Sequence, residues 1–232
     1  AFLTKCLNKY QKIMKRILEP ELMENEEQTL AYSNADFAFS NHSFIDYIIE
    51  NSKIKTGNIL DLGCGPGDLD IELTKKLPDV QIFAIDGSAQ MVDLATQKIA
   101  KHNLTDRDEI LQDILPNLNL PEGKFDLIIS KDLLHHIPSP NDFWAEINRL
   151  ANNHTQTYVM DLIRPDSIDK AKKIVESISA SEPEVLQEDF YNSLLAAFTF
   201  DEVKEQMERA NLNYQIDNLG DRHFIAKCKK MN

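Results

Sequence analysis

Residues 59–68 read Ile-Leu-Asp-Leu-Gly-Cys-Gly-Pro-Gly-Asp, an apolar run that breaks into three glycines at alternate positions. Few features restrict a fold so tightly. The apolar part has the character of a buried parallel strand. Gly63, Gly65 and Gly67 permit backbone conformations that a Cβ forbids, so the chain can turn sharply and lie flat against a ligand. A helix expected from about Asp68 to Leu77 aims its free N–H groups at the same corner. Spacing then selects the ligand. A pyrophosphate-binding loop reads G-x-G-x-x-G, whereas here the third glycine comes one residue early and Asp68 takes the last glycine's place, where a pyrophosphate would meet a carboxylate.

The pattern Asp-Leu-Gly-Cys-Gly-x-Gly instead resembles the first motif of class I S-adenosylmethionine-dependent methyltransferases. The resemblance implies that the loop Gly63, Cys64, Gly65 holds the methionine part of that cofactor, with Asp61 near its amino group. Val80–Ile85 is a second strand-like run, and it ends in Asp86 at about the distance where nucleotide-binding folds place a ribose carboxylate. Asp86-Gly87-Ser88-Ala89-Gln90-Met91 resembles the family's second motif, in which Ser88 starts a helix and Met91 covers the adenine. Taken singly, Asp86 reads equally as a helix-start residue and Met91 as core.

Glu109–Ile114 reads as a short strand ending in an acid. The resemblance gives Asp113 the adenine amino group and the Ile114 backbone the ring edge; the competing reading is a turn carboxylate before Pro116. Phe125–Ser130 is a further strand, followed by Lys131-Asp132-Leu133-Leu134-His135-His136, which resembles the fourth motif with its Leu-His-His continuation. Ligands of open α/β sheets collect beyond the carboxyl ends of such strands, so Ser130, Lys131, Asp132 and His135 are expected at a methyl-transfer cleft. Thr157–Ile163 supplies a fifth strand and brings Asp161 and Arg164 to the same edge.

The implied fold is α/β: a Rossmann-like, doubly wound seven-stranded sheet with a C-terminal antiparallel hairpin. The chain is expected to be a single methyltransferase domain, with a helical N-terminal lid over 1–56, a cofactor-binding core over 57–163, and a helical insertion, final helix and closing hairpin over 164–232. In the first zone a break falls at Glu19-Pro20, and Asn41–Asn51 has helical spacing of Phe44, Ile45, Ile48 and Ile49. In the third, helices are expected within Ser167–Ala197 and at Phe200–Ala210, then strands at Asn213–Asn218 and His223–Lys229. Tyr32 is the expected lid aromatic. Tyr191, Asn192 and Arg222 are further substrate candidates, although Phe190, Leu194 and Ala197 also fit a plain amphipathic helix.

Methyl transfer from a sulfonium is an in-line displacement that needs alignment more than covalent chemistry. A base helps when the acceptor is an alcohol, phenol or activated carbon. His135 and His136 have suitable unperturbed pKa values, and because neighbours leaving a strand point apart, only His135 is expected in the cleft. The competing reading is that both histidines cap the turn at Pro138.

A net charge of −13 over 232 residues argues against a phosphate-backbone partner and for a small-molecule acceptor. Asn-Pro-Pro-Tyr is absent, replaced by Ser130-Lys131-Asp132-Leu133, which also disfavours nucleic-acid bases. Cys6, Cys64 and Cys228 form no C-x-x-C pair, so no metal and a reduced, cytoplasmic setting are expected. No apolar run approaches the roughly 20 residues of a membrane span. Ala1–Leu18 lacks a signal peptide's apolar centre, and a chain starting at Ala1 reads as trimmed or as a piece of something longer. Two alternatives stay open: an RNA or protein methyltransferase with Lys170, Lys172 and Lys173 at the cleft, or a non-catalytic cofactor-binding scaffold. Oligomeric state is not legible.

Overall fold

Continuous apolar runs suit strands covered on both faces, and the central strands form such a sheet. The computed structural model describes residues 14–19 and 26–230. Cys6 and Pro20–Met23 lie outside the described residues. Helices α1 (Glu26–Asn34) and α2 (Ala38–Ser52) precede β1 (Thr56–Leu62), α3 (Asp68–Lys76), β2 (Asp79–Asp86), α4 (Ala89–Lys101), β3 (Asp108–Gln112) and β4 (Leu127–Lys131). A 3₁₀ turn at Leu134–His136 leads into α5 (Pro140–Leu150), β5 (Gln156–Leu162), α6 (Ile168–Ile178), α7 (Glu184–Ala196), α8 (Phe200–Arg209), β6 (Leu212–Leu219) and β7 (His223–Lys230).

The seven strands lie in the order β3-β2-β1-β4-β5-β7-β6. β1 to β5 pair in parallel, and β7 runs antiparallel to both β5 and β6. The expected sheet and closing hairpin are therefore present. Strand order reverses between β1 and β4, which opens a crevice beyond their carboxyl ends, where Gly63 and Asp132 stand.

Side-chain alternation divides the core between the two faces. Ile59, Ile82, Leu127 and Ile129 pack with α2 and α3 on one side, and Leu60, Phe83, Ile128 and Val159 pack with α5 and α8 on the other. Within the zone expected as a lid, α2 belongs to the core. Phe44, Ile45 and Ile48 of α2 are fully buried against the sheet, and at ~1.5–3 kcal/mol for each such side chain the helix is a layer of the core. The part of the first zone that reaches the crevice is α1 with residues 14–19, and those six residues are not helical. They form a strap: Ile17 N–H donates to Leu195 O, and Arg16 donates to the carbonyls of Ala196, His135 and Ile137 at 2.6–2.9 Å.

Candidate active site

The glycine corner is built by β1 and β2 together. Gly63 and Cys64 both donate their N–H to Ile85 O, at 2.8 and 3.0 Å, which bends the chain across the end of β2. Gly63 has φ 81°, and a Cβ there would press to 3.0 Å from Leu133. Gly65 has φ 52°, and among the described residues the Tyr32 ring is the near neighbour, 3.9 Å from where a Cβ would stand. Its backbone is open to a ligand. Gly65 N–H and Ser88 N–H each donate to one oxygen of Asp86 at 2.9 Å, so the carboxylate is fixed at the mouth of the crevice. Burial pushes the Asp86 carboxyl up, opposed by those two N–H groups.

A cavity of about 560 Å³ opens from this corner. Gly63, Gly65, Asp86, Gly87 and Met91 line it, as do Asp113 and Ile114 just beyond β3 and Lys131 and Asp132 at the end of β4. Asp113 accepts from Ile114 N–H at 2.9 Å and from Asn119 N–H at 2.8 Å, which sets its carboxylate on the wall. Asp132 sits at φ 55°, a left-handed conformation that a non-glycine residue adopts at a cost and that recurs at functional sites. Burial works to raise its carboxyl, but the adjacent Lys131 ammonium overcomes this and holds it at about 2.

Three expected loop residues stay off the wall. Cys64 is buried, and Ser130 is buried with its hydroxyl donating to Leu62 O at 2.8 Å, tying β4 to β1. Asp61 is 1 % exposed and turns toward α3, where it meets Asp70. The alternation of β1 explains this: Leu60 and Leu62 face one side and Asp61 the other. Among the described residues no other group donates to their oxygens, so the two carboxyls have each other as partner. Burial pushes both carboxyls above the usual range; the Asp61 charge raises Asp70 further, while the hydrogen bond from Asp70 holds Asp61 back. No periodicity in the sequence signalled Asp70.

A second cavity of about 230 Å³ lies under the inserted helices. Leu186, Asp189, Phe190 and Ser193 line it from one face of α7, Phe37 and Phe39 from the start of α2, and Arg222 and His223 from the closing hairpin. Tyr32, Asp132 and His136 border both cavities. The Tyr32 ring stands 4.7 Å from that of Phe37, and burial together with Asp132 and Asp86 pushes its hydroxyl pKa far upward.

The substrate candidates divide accordingly. Tyr191 and Asn192 lie on neither wall, because a 3.6-residue period that puts 186, 189, 190 and 193 on one face turns them away; Tyr191 packs beside Leu162, Ala171 and Val175 instead. Arg164 also leaves the cleft. Its guanidinium is buried and donates to Ala197 O at 2.9 Å and Glu202 at 2.6 Å, joining α7 to α8. Lys170, Lys172 and Lys173 are exposed and line neither cavity.

The two histidines do not alternate as strand residues would, because they belong to a 3₁₀ turn. Their rings stack with centroids 4.1 Å apart. His135 is 2 % exposed on the wall of the second cavity, its Nδ1 2.6 Å from Asp161 Oδ1 and its backbone N–H donating to Asp161 Oδ2 at 3.1 Å. Burial works to lower its pKa, yet the Asp161 anion raises it to about 9. His136 pairs with Glu19 of the strap, which also accepts from the Ser193 hydroxyl at 2.6 Å.

The profile of the family described as "Methyltransferase domain" matches residues 53–211. Among curated proteins, the chain is 38% identical over 87 residues to a bifunctional methyltransferase of Rickettsia bellii, covering 37% of this chain and 16% of that protein. It is 30% identical over 115 residues to a demethylmenaquinone methyltransferase of Lactobacillus johnsonii, covering 49% and 47%. The chain thus spans less than half the length of these relatives. A putative S-adenosyl-L-methionine-dependent methyltransferase from Methanococcus maripaludis superposes with a TM-score of 0.71 at 24% identity, over 93% of this chain and 98% of that one. With its glycine corner, seven-stranded topology and a family match across most of its length, the chain belongs to the class I S-adenosylmethionine-dependent methyltransferases.

Proposed function

We propose that this chain transfers a methyl group from S-adenosylmethionine to a small-molecule acceptor and releases S-adenosylhomocysteine. The supporting observation is the pair of cavities that meet at Tyr32, Asp132 and His136, one walled by the motif residues and the other by the inserted helices. Bound in the first, the cofactor supplies an electrophilic methyl on a sulfonium.

The chain's own residues would hold it in a defined way. Gly63 and Gly65 present bare backbone to the methionine part, and Asp86 accepts from the ribose hydroxyls. Met91 and Ile114 enclose the adenine, whose amino group Asp113 receives. The acceptor enters the second cavity against Phe190 and Arg222, and the junction aligns it in line with the methyl while excluding water. His135 is the activating residue: Asp161 anchors its Nδ1 and fixes the ring at the cavity wall, leaving Nε2 to activate the acceptor. A demethylmenaquinone-acting relative supports a small-molecule acceptor. Residues 1–232 would act as one methyltransferase domain, and the free, buried Cys64 and Cys228 suit a cytoplasmic setting. Among the described residues no helix is long and apolar enough to cross a membrane.

The test is transfer of isotope-labelled methyl from S-adenosylmethionine into a cell extract split into metabolite, RNA and protein fractions, with Asp86→Ala as control. Label in the metabolite fraction is expected. Label confined to RNA or protein would overturn the acceptor class.

A further inference from the structure

At the junction of the two cavities, Glu19, His135 and His136 bring one carboxylate oxygen and two ring nitrogens within 4.8 Å of one another. We infer that these three side chains form a binding site for a divalent transition-metal ion, zinc being the best match to two imidazoles and a carboxylate.

Four observations converge on this site. His135 Nδ1 is engaged by Asp161 at 2.6 Å, so its Nε2 is the nitrogen left to ligate, releasing its proton to solvent as the metal binds. A buried carboxylate behind a histidine is the arrangement that fixes ring orientation and strengthens the ligand in metal sites. Glu19 has no helix to hold it, yet Arg16 ties its strap to the His135 and Ile137 carbonyls of the turn and to Ala196 O at the end of α7, and Ser193 donates to the Glu19 carboxylate. The surroundings are anionic as well. Asp161 and Asp132 act on His135, and His136 acts on Asp86 and Asp189, against the Arg16 guanidinium and the Lys131 ammonium that pairs with Asp132.

Three protein ligands leave an open coordination position, the pattern of catalytic rather than structural zinc. Since Glu19 borders the first cavity, His135 the second and His136 both, the open position faces the place where acceptor and methyl meet. An acceptor bearing a hydroxyl or thiol would bind there as its anion, its proton passing to solvent. This rests on the proposed methyl transfer and names the acceptor class: a small molecule with a metal-binding oxygen or sulfur.

Equilibrium dialysis of the metal-stripped full chain against zinc, read by elemental analysis, tests the site without any turnover. One saturable zinc per chain is expected, with Co²⁺ giving the intense visible absorption of a four-coordinate site. His136→Ala and Glu19→Gln should weaken zinc at least ~10-fold, and Asp161→Asn by ~10–100-fold, while an unchanged circular dichroism spectrum and a cooperative thermal transition confirm that each variant is folded. Absence of saturable uptake by the unaltered chain would overturn the site, as would uptake that none of the three substitutions weakens. Methyl transfer that persists in chelator, without zinc uptake, would remove the metal and leave the proposed activity standing; zinc uptake with no transfer into any fraction would do the reverse.

Discussion

His135 and Asp161 meet at 2.6 Å, Nδ1 to Oδ1, with both residues almost wholly buried, although 26 positions separate them in the chain. Parallel pairing of β4 with β5 creates the contact, since it sets the turn after β4 beside the last residues of β5. A charged pair is retained in so dry a place only when its geometry is satisfied, and the second Asp161 oxygen takes the His135 N–H.

Asp161→Asn should therefore lower kcat by about 100-fold, in the range of a misplaced acid–base group, with cofactor affinity unchanged because Asp161 lines neither cavity. Steady-state kinetics beside calorimetry checks this. A parallel loss of cofactor binding would show instead that the substitution disturbs the whole sheet edge.

The inserted helices should govern the acceptor alone. Phe190→Ala, on the wall of the second cavity and absent from the first, is expected to raise KM for the acceptor by ~10-fold or more, the effect of losing about 1.5–3 kcal/mol of apolar contact, and to leave cofactor affinity as it was. An unchanged acceptor KM would mean that the acceptor binds elsewhere.

Gly67 and Gly220 separate two costs of adding a Cβ. Both have positive φ, 78° and 75°, but a Cβ on Gly67 would meet Ala95 Cβ at 3.1 Å and its Cα at 3.3 Å, whereas Gly220 has nothing within 4 Å. Gly220→Ala should cost about 1 kcal/mol of backbone strain, and Gly67→Ala about 1–3 kcal/mol more from overpacking α4. Urea unfolding of both variants reads the difference directly. Equal losses would contradict it.

Asp61 and Asp70 give a pH dependence whose sign follows from burial. Their pKa values are raised in the fold, so the folded chain holds their protons more tightly than the unfolded chain does, and stability falls as pH rises above the usual carboxylate range. Asp70→Asn removes one buried acid and leaves an amide that can still donate to Asp61. The variant should be more stable than the parent by about 1–3 kcal/mol at alkaline pH, with the gap closing toward acid pH. Thermal unfolding across that range tests it, and a variant less stable at every pH would contradict it.

Much of the first cavity's wall was legible because its residues are local to strand ends. Gly63, Gly65, Asp86, Met91 and Asp113 each follow directly from an apolar run, and the sheet only has to set those runs side by side. The second cavity depends on contacts that short spacing does not carry. Glu19 reaches His136 across about half of the chain, and the stacking of His135 on His136 follows from a 3₁₀ turn where strand alternation was expected. Tyr191 and Asn192 were conspicuous as polar residues in an apolar helix, but the lining face of α7 is set by how α7 packs on α6 and the sheet. Asp61 turned from the cofactor wall for a similar reason, since its face of β1 is the one α3 covers.

Calorimetric titration of S-adenosylmethionine into the parent chain and Asp86→Ala tests the central claim most directly. The parent should bind one equivalent, and loss of the Asp86 carboxylate, held by Gly65 and Ser88 at 2.9 Å, should weaken binding by ~1.5–3 kcal/mol, the worth of a charge-assisted hydrogen bond. Equal affinity in the two proteins, or no binding by the parent, would contradict the assignment of the first cavity to the cofactor.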